Sequence, residues 1–69
     1  MGKVYKKVEL VGTSEEGLEA GIQAALARAR KTLRRLGWFE VKEVRGTIGE
    51  AGVKEYQVVL EVGFRLEET

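Results

Sequence analysis

A chain of 69 residues without a cysteine or a histidine has few routes to a stable fold. This length holds one domain, residues 1–69. A domain so small buries only about 60% of the surface that its unfolded chain exposes. Its core rarely supplies more than about 3–5 kcal/mol, so small natural scaffolds add a staple. Disulfides need cysteine, and structural zinc draws on cysteine and histidine. Association with copies of itself is the staple that remains, and a homo-oligomer is expected.

The 43% apolar and 33% charged residues are those of a globular protein. No apolar run approaches the roughly 20 residues that span a bilayer. Lys3-Val4-Tyr5-Lys6-Lys7 breaks the N-terminal stretch with charge, unlike a signal peptide. The cytoplasm is the expected location. Asn and Asp are absent, Met occurs once, and Lys, Arg and Glu abound, a composition that points to a heat-loving source.

Periodicity sets the element order. Val4, Val8 and Leu10 share one face of an extended segment, Tyr5, Lys7, Glu9 and Val11 the other, and Gly12 ends this strand. Thr13 with Glu16 forms a capping-box pattern, with Ser14 as an equally good cap. A helix is expected to run to about Leu36 on a stripe of Leu18, Ile22, Ala25, Ala29, Leu33 and Leu36. Acidic residues open it and basic ones close it, as the helix dipole favours, and Gly37 is placed for a left-handed C-terminal cap. Gly21 costs about 1 kcal/mol inside such a helix, and close packing is the one reason for it.

Two strands follow. Trp38 to Ile48 is rich in β-formers, and Gly49-Glu50-Ala51-Gly52 supplies a turn. From Val53 to Leu66 the alternation is clean, with Tyr56, Val58, Leu60, Val62, Phe64 and Leu66 on one face. The middle strand mixes parities: Phe39 and Val41 against Trp38 and Val44. A bulge explains that, or a second face buried in an assembly. The expected fold is α+β, a β-α-β-β unit whose three-stranded antiparallel sheet curls over one helix.

The side-chain inventory is poor in chemistry. Without His, Cys or Asp the common nucleophile-and-base pairs cannot be built, so an enzyme is not expected. The glycines from Gly46 to Gly52 lack the spacing and the lysine of a phosphate loop. Trp38, the sole tryptophan, reads by itself as a cap on the core. Gln57 reads as an outward polar residue interrupting the run Tyr56-Val58-Val59-Leu60. Arg45 and Arg65 read as surface or interface cations.

Glu9-Leu10-Val11-Gly12-Thr13-Ser14 before the helix, Trp38 opening the second strand, Glu55-Tyr56-Gln57-Val58 and then Val62-Gly63-Phe64 together resemble the dodecin family over nearly the whole chain. The resemblance implies a hollow homododecamer that binds FMN, riboflavin or a related FAD-type flavin and stores or sequesters it. It implies that Trp38 stacks on the isoalloxazine ring and that Gln57 hydrogen-bonds the pyrimidine edge of the ring, with flavins stacked between tryptophans of symmetry-related subunits. An indole face suits such stacking, and an amide carries both a donor and an acceptor for that edge.

A phosphate on FMN calls for a cation. Arg65 shares the odd-numbered face of the third strand with Gln57 but lies too far along it to serve the same flavin within one subunit. Arg45 reaches that face through the bulge. Arg45 and Arg65 from different subunits are the expected phosphate contact, with ion pairs to Glu across subunits as the alternative. Two other readings stay open: a nucleic-acid-binding module using Arg28, Arg30, Lys31, Arg34 and Arg35, and a structural assembly without ligand.

Overall fold

The computed structural model describes residues 2–67. Its elements are β1 (Tyr5–Ser14), α1 (Leu18–Ala29), β2 (Leu36–Gly49) and β3 (Gly52–Arg65), in the expected β-α-β-β order. Both strand pairings are antiparallel, and the sheet order β1-β3-β2 puts the last strand in the middle. Glu50 and Ala51 form the turn between β2 and β3, and Gly52 beyond them takes a φ of 120°, which only glycine adopts at ease.

The even-numbered face of β3 is the core, as its alternation foretells. Val58, Leu60 and Val62 are fully buried against Ala25, with Val8, Leu10, Ile22, Leu26 and Leu36 packed around them. The buried residues of the helix are all very small, Gly21, Ala25 and Ala29. Gly12 faces Gly21 directly: a Cβ on Gly12 would run into the Gly21 carbonyl and come within 3.0 Å of the Ala25 Cβ. Gly21 thus has its reason, since helix and strand meet backbone to backbone there.

The element boundaries differ from the sequence reading. Gly12 lies inside β1, and Thr13 and Ser14 pair with Gln57 and Tyr56. No capping box forms: Gly17 precedes the helix without a side-chain cap, and the Ser14 Oγ accepts from the Glu16 N–H in a local turn. Pairing with β3 wins over capping, because it satisfies the backbone of two more residues. Leu18 is exposed instead of belonging to the buried stripe.

The helix stops at Ala29, short of Leu36. Two turn hydrogen bonds to the Ala29 carbonyl, from Thr32 and Leu33, divert the chain. Arg35, with φ 60°, takes the left-handed conformation expected of Gly37, and Gly37 is already in β2. Leu36 leaves the helix to pack on the core from the sheet side. The basic block is consequently no helix face: Arg28 alone lies in the last turn of α1, Arg30 caps it, and Lys31, Arg34 and Arg35 belong to the connection.

One 12-residue helix cannot cover two 14-residue strands. The molecule is 54 Å long and 13 Å thick. Its radius of gyration is 14.4 Å, whereas a compact domain of this length has about 11 Å. β2 lies at the sheet edge beyond the helix and leaves Phe39, Val41, Val44 and Ile48 exposed. Among the described residues no helix is long and apolar enough to cross a membrane.

On the sheet face away from the helix, charge ties the three strands together. The Lys7 ammonium reaches Glu61 on β3 and Glu40 on β2, each at 2.9 Å, and Lys42 lies 3.9 Å from Glu61. The Lys7 pKa is raised from the ordinary 10.5 to about 12, first by Glu40 and then by Glu61. Lys7 in turn holds the Glu61 carboxyl below its ordinary value.

Two measurements check this account. Gly12→Ala should lower the stability seen in chemical denaturation by about 1–3 kcal/mol, as overpacking does, while Gly2→Ala, with nothing near it, should change nothing. Equal midpoints for both variants would mean that the contact with Gly21 is not close. The Lys7 contribution should be full between pH 4.5 and 10.5, the ordinary values of its partner Glu61 and of Lys7 itself. A depressed carboxyl loses its contribution as pH falls through the folded value, and a raised amine loses it as pH rises through about 12. The denaturation midpoint of the chain minus that of Lys7→Met should shrink at both ends; a difference independent of pH would count against the ion pairs.

Candidate functional site

The face of the sheet opposite the helix carries all the residues singled out by the sequence, and two register shifts in β2 put them there. Continuing the pairing Leu36↔Phe64 would set Trp38 opposite Val62, on the helix side. A shift at Gly37 sets it opposite Gly63 instead and turns its side chain to the uncovered face. Continuing Val41↔Leu60 would set Arg45 opposite Tyr56; a second shift, at Lys42, sets it opposite Gln57. This second shift is the bulge that the mixed parity of β2 calls for.

The Trp38 indole lies over the backbone of β3 at Gly63. A Cβ there would fall within 3.0 Å of three ring atoms, so no other residue type admits this ring position. Tyr5 meets the indole edge-to-face, with ring centroids 5.2 Å apart and planes at 60°. Trp38 remains 41% exposed, so one side of a large aromatic plane is held against the sheet and left open on the other. That disposes of the reading in which Trp38 caps the core.

At the other end of the same face Gln57 and Arg45 are paired. The Arg45 Nε donates to the Gln57 Oε1 at 2.6 Å, and a second guanidinium nitrogen donates to Glu43 at 3.3 Å. The Gln57 Nε2 donates to Glu55 at 3.2 Å. The result is a row Glu43–Arg45–Gln57–Glu55 in which the amide already uses a donor and an acceptor. Arg45 is exposed and Glu55 half-buried, and bonds open to water in this way exchange readily with others.

Arg65 stands with Trp38, not with Gln57. It pairs across the strands with Tyr5 and lies two residues beyond Gly63. Its guanidinium makes no ion pair among the described residues. The structure therefore sorts the four expected residues into two groups, Trp38 with Arg65 and Gln57 with Arg45. Six residues of β3 separate Gly63 from Gln57, about 20 Å at 3.3 Å per residue. One planar ligand cannot touch both groups of the same chain.

These groups suit a flavin. The open indole face accepts a planar ring, Gly63 keeps that face flat, the Gln57 amide offers a donor and an acceptor, and two guanidinium groups are available for a phosphate. Among the described residues no set of three or more carboxylates could hold a metal ion. Tyr5 and Gly63 adjoin Trp38 but were not singled out as candidate site residues in the sequence. A glycine at an outward position of a central strand was the available clue, because such a glycine often marks a close approach.

Comparison with known proteins agrees with this arrangement along the whole chain. The dodecin family model matches residues 4–67. A dodecin of Thermus thermophilus is 94% identical over all of both chains. A crystal structure of a Thermus thermophilus protein, 94% identical, superimposes with a TM-score of 0.96 and covers 99% of this chain and 100% of that one. An Arg65→Ala variant of Thermus thermophilus dodecin, 93% identical, superimposes with the same score and coverage. With a β-α-β-β fold, a tryptophan laid on the uncovered sheet face and a family match spanning both, this chain belongs to the dodecin family.

Proposed function

We propose that this chain binds a flavin, FMN or riboflavin, and stores or sequesters it without transforming it. The observation that carries this reading is the Trp38 indole, held flat over Gly63 with its other face open. Stacking an isoalloxazine ring on that face contributes about 0.5–1.5 kcal/mol beyond the area it buries. The Gln57 amide then exchanges its bonds to Arg45 and Glu55 for the alternating N–H and C=O edge of the pyrimidine ring. A flavin supplies redox chemistry, but this chain has no His, Cys or Asp to direct it. What its residues do is bind, orient and cover.

The 20 Å between the two groups gives the site its symmetry. Trp38 comes from one subunit and Gln57 from another, so the ligand lies where chains meet. This requires a homo-oligomer, and the family resemblance implies twelve subunits around a hollow centre. Among the described residues eleven large apolar side chains are exposed, Phe39, Val41 and Val44 of β2 among them, a burden that a soluble monomer rarely carries. Arg45, freed by the same exchange, and Arg65 of a different subunit supply the cations for the phosphate of FMN. In the near-identical Thermus thermophilus dodecin the fold withstands Arg65→Ala, which supports a role for this guanidinium outside folding.

Titration of riboflavin and FMN, read by quenching of flavin emission, tests the site, with native mass spectrometry reporting the assembly. Trp38→Ala should weaken both flavins by about tenfold or more, given the stacking and the buried area together, with the subunit count unchanged. Gln57→Ala should weaken both by about 5- to 150-fold, the range for leaving buried polar groups unpaired. Arg45→Ala and Arg65→Ala should weaken FMN more than riboflavin. Unchanged affinity in Trp38→Ala overturns the flavin reading, and equal effects on the two flavins overturn the phosphate contact. A stable, folded monomer at micromolar concentration overturns the assembly.

A further inference from the structure

We infer that Tyr5 and Gly63 are positioning residues that fix the plane of the Trp38 indole and thereby set how tightly the open face takes a planar ligand. The inference rests on the reading of Trp38 as the flavin platform and adds to it the two residues that make the platform rigid.

Three observations carry it. Gly63 has no backbone angle that calls for glycine: it pairs with Lys7 on one side and with Trp38, beside the shift at Gly37, on the other, and the glycines with positive φ are Gly17 and Gly52. Glycine weakens a central strand, so its presence at an outward-facing position needs another cause. The cause is steric, since the space a Cβ would fill is occupied by three atoms of the indole. Gly63 is thus the floor on which the ring lies.

A floor alone leaves the ring free to slide or swing about its side-chain torsions. Tyr5 stops that motion. Its ring stands edge-on to the indole at 60°, a favoured aromatic geometry, with 5.2 Å between centroids. Tyr5 is itself seated, because a Cβ on Gly37, the residue before Trp38, would lie 3.8 Å from the Tyr5 Cε2. The tyrosine ring therefore lies beside the shift in β2 that aims the tryptophan. Tyr5 is no part of the core: it is 42% exposed and opposite Arg65 at the end of β1. What it touches is the platform.

The energetic consequence is preorganisation. An exposed indole on a strand samples several rotamers, and a ligand that stacks on one of them must bear the loss of the others. A ring already held on its floor and against its stop has lost that freedom during folding, so more of the stacking energy appears as affinity. Removing the stop should weaken binding without removing any atom that touches the ligand.

Trp38 is the only tryptophan, so its emission reports this ring alone. Time-resolved fluorescence anisotropy of the ligand-free assembly should show no fast local rotation in the unaltered protein or in Tyr5→Phe, which keeps the edge contact. Tyr5→Ala and Gly63→Val should both acquire a fast component; valine is a good strand former, so the second change displaces the ring without spoiling the strand. In riboflavin titrations the same two variants should lose about 2- to 10-fold in affinity, the range of one aromatic pair, and Tyr5→Phe should lose none. An indole equally immobile in Tyr5→Ala and Gly63→Val overturns the inference, as does a freed indole with undiminished affinity. Trp38→Ala separates the two levels. Affinity that survives Trp38→Ala strikes the flavin reading itself, whereas affinity lost there but kept in Tyr5→Ala and Gly63→Val strikes the positioning claim alone.

Discussion

The contact between Gly12 and Gly21 draws the helix down onto β1 and the near side of β3, and the rest of the molecule is shaped by how little that helix then covers. Because backbone meets backbone, the helix lies low enough for Ala25 to join Val58, Leu60 and Val62 in a small dense core. The same closeness commits it to one side of the sheet. β2, the strand farthest from β1 in the order β1-β3-β2, receives little cover beyond Leu36, which packs on the core. Its exposed apolar residues and the open face beyond are two results of one packing decision.

Much of this was legible in the sequence because it depends on strict periodicity. The alternation of Val58, Leu60 and Val62 with Val59 and Glu61 identifies the core face of β3 without ambiguity, and the turn at Glu50 and Ala51 is announced by its glycines. Where local signals compete, the sequence was a poorer guide. Thr13 and Ser14 are good helix caps, yet they go on pairing with β3, since a strand partner opposite them satisfies more of the backbone. Leu33 and Leu36 continue the helical spacing beyond Ala29, but Leu36 reaches the core from β2 instead. Spacing records that a residue is buried; it does not record from which element.

The site shows the same division. Trp38, Gln57, Arg45 and Arg65 stood out as residue types, and all four prove to share the uncovered face. The distance of Arg65 from Gln57 along β3 was readable, but the placing of Trp38 beside one and Arg45 beside the other follows from two register shifts, each worth one residue. Mixed parity in β2 hinted at the shift near Lys42. Nothing hinted at the one at Gly37, which turns Trp38 from the helix side to the open side. Tyr5 was hidden for a related reason: its partner lies on a strand with which β1 does not pair.

The separation of Trp38 from Gln57 has a consequence for how binding and assembly depend on each other. On the proposed reading, each flavin is held by an indole of one subunit and an amide of another, so no isolated chain offers a complete site. A ligand that binds only the assembled form stabilises that form, by an amount that grows with the logarithm of its concentration above the dissociation constant. The reverse also holds, since every contact that favours assembly raises the fraction of complete sites. For a chain whose own core is four buried side chains of β3 and a few small residues of α1, this linkage is a large share of what can hold it together. The Lys7–Glu61–Glu40 bridge links the three strands of the sheet within each chain. On that reading, storing a ligand and staying folded draw on the same interfaces.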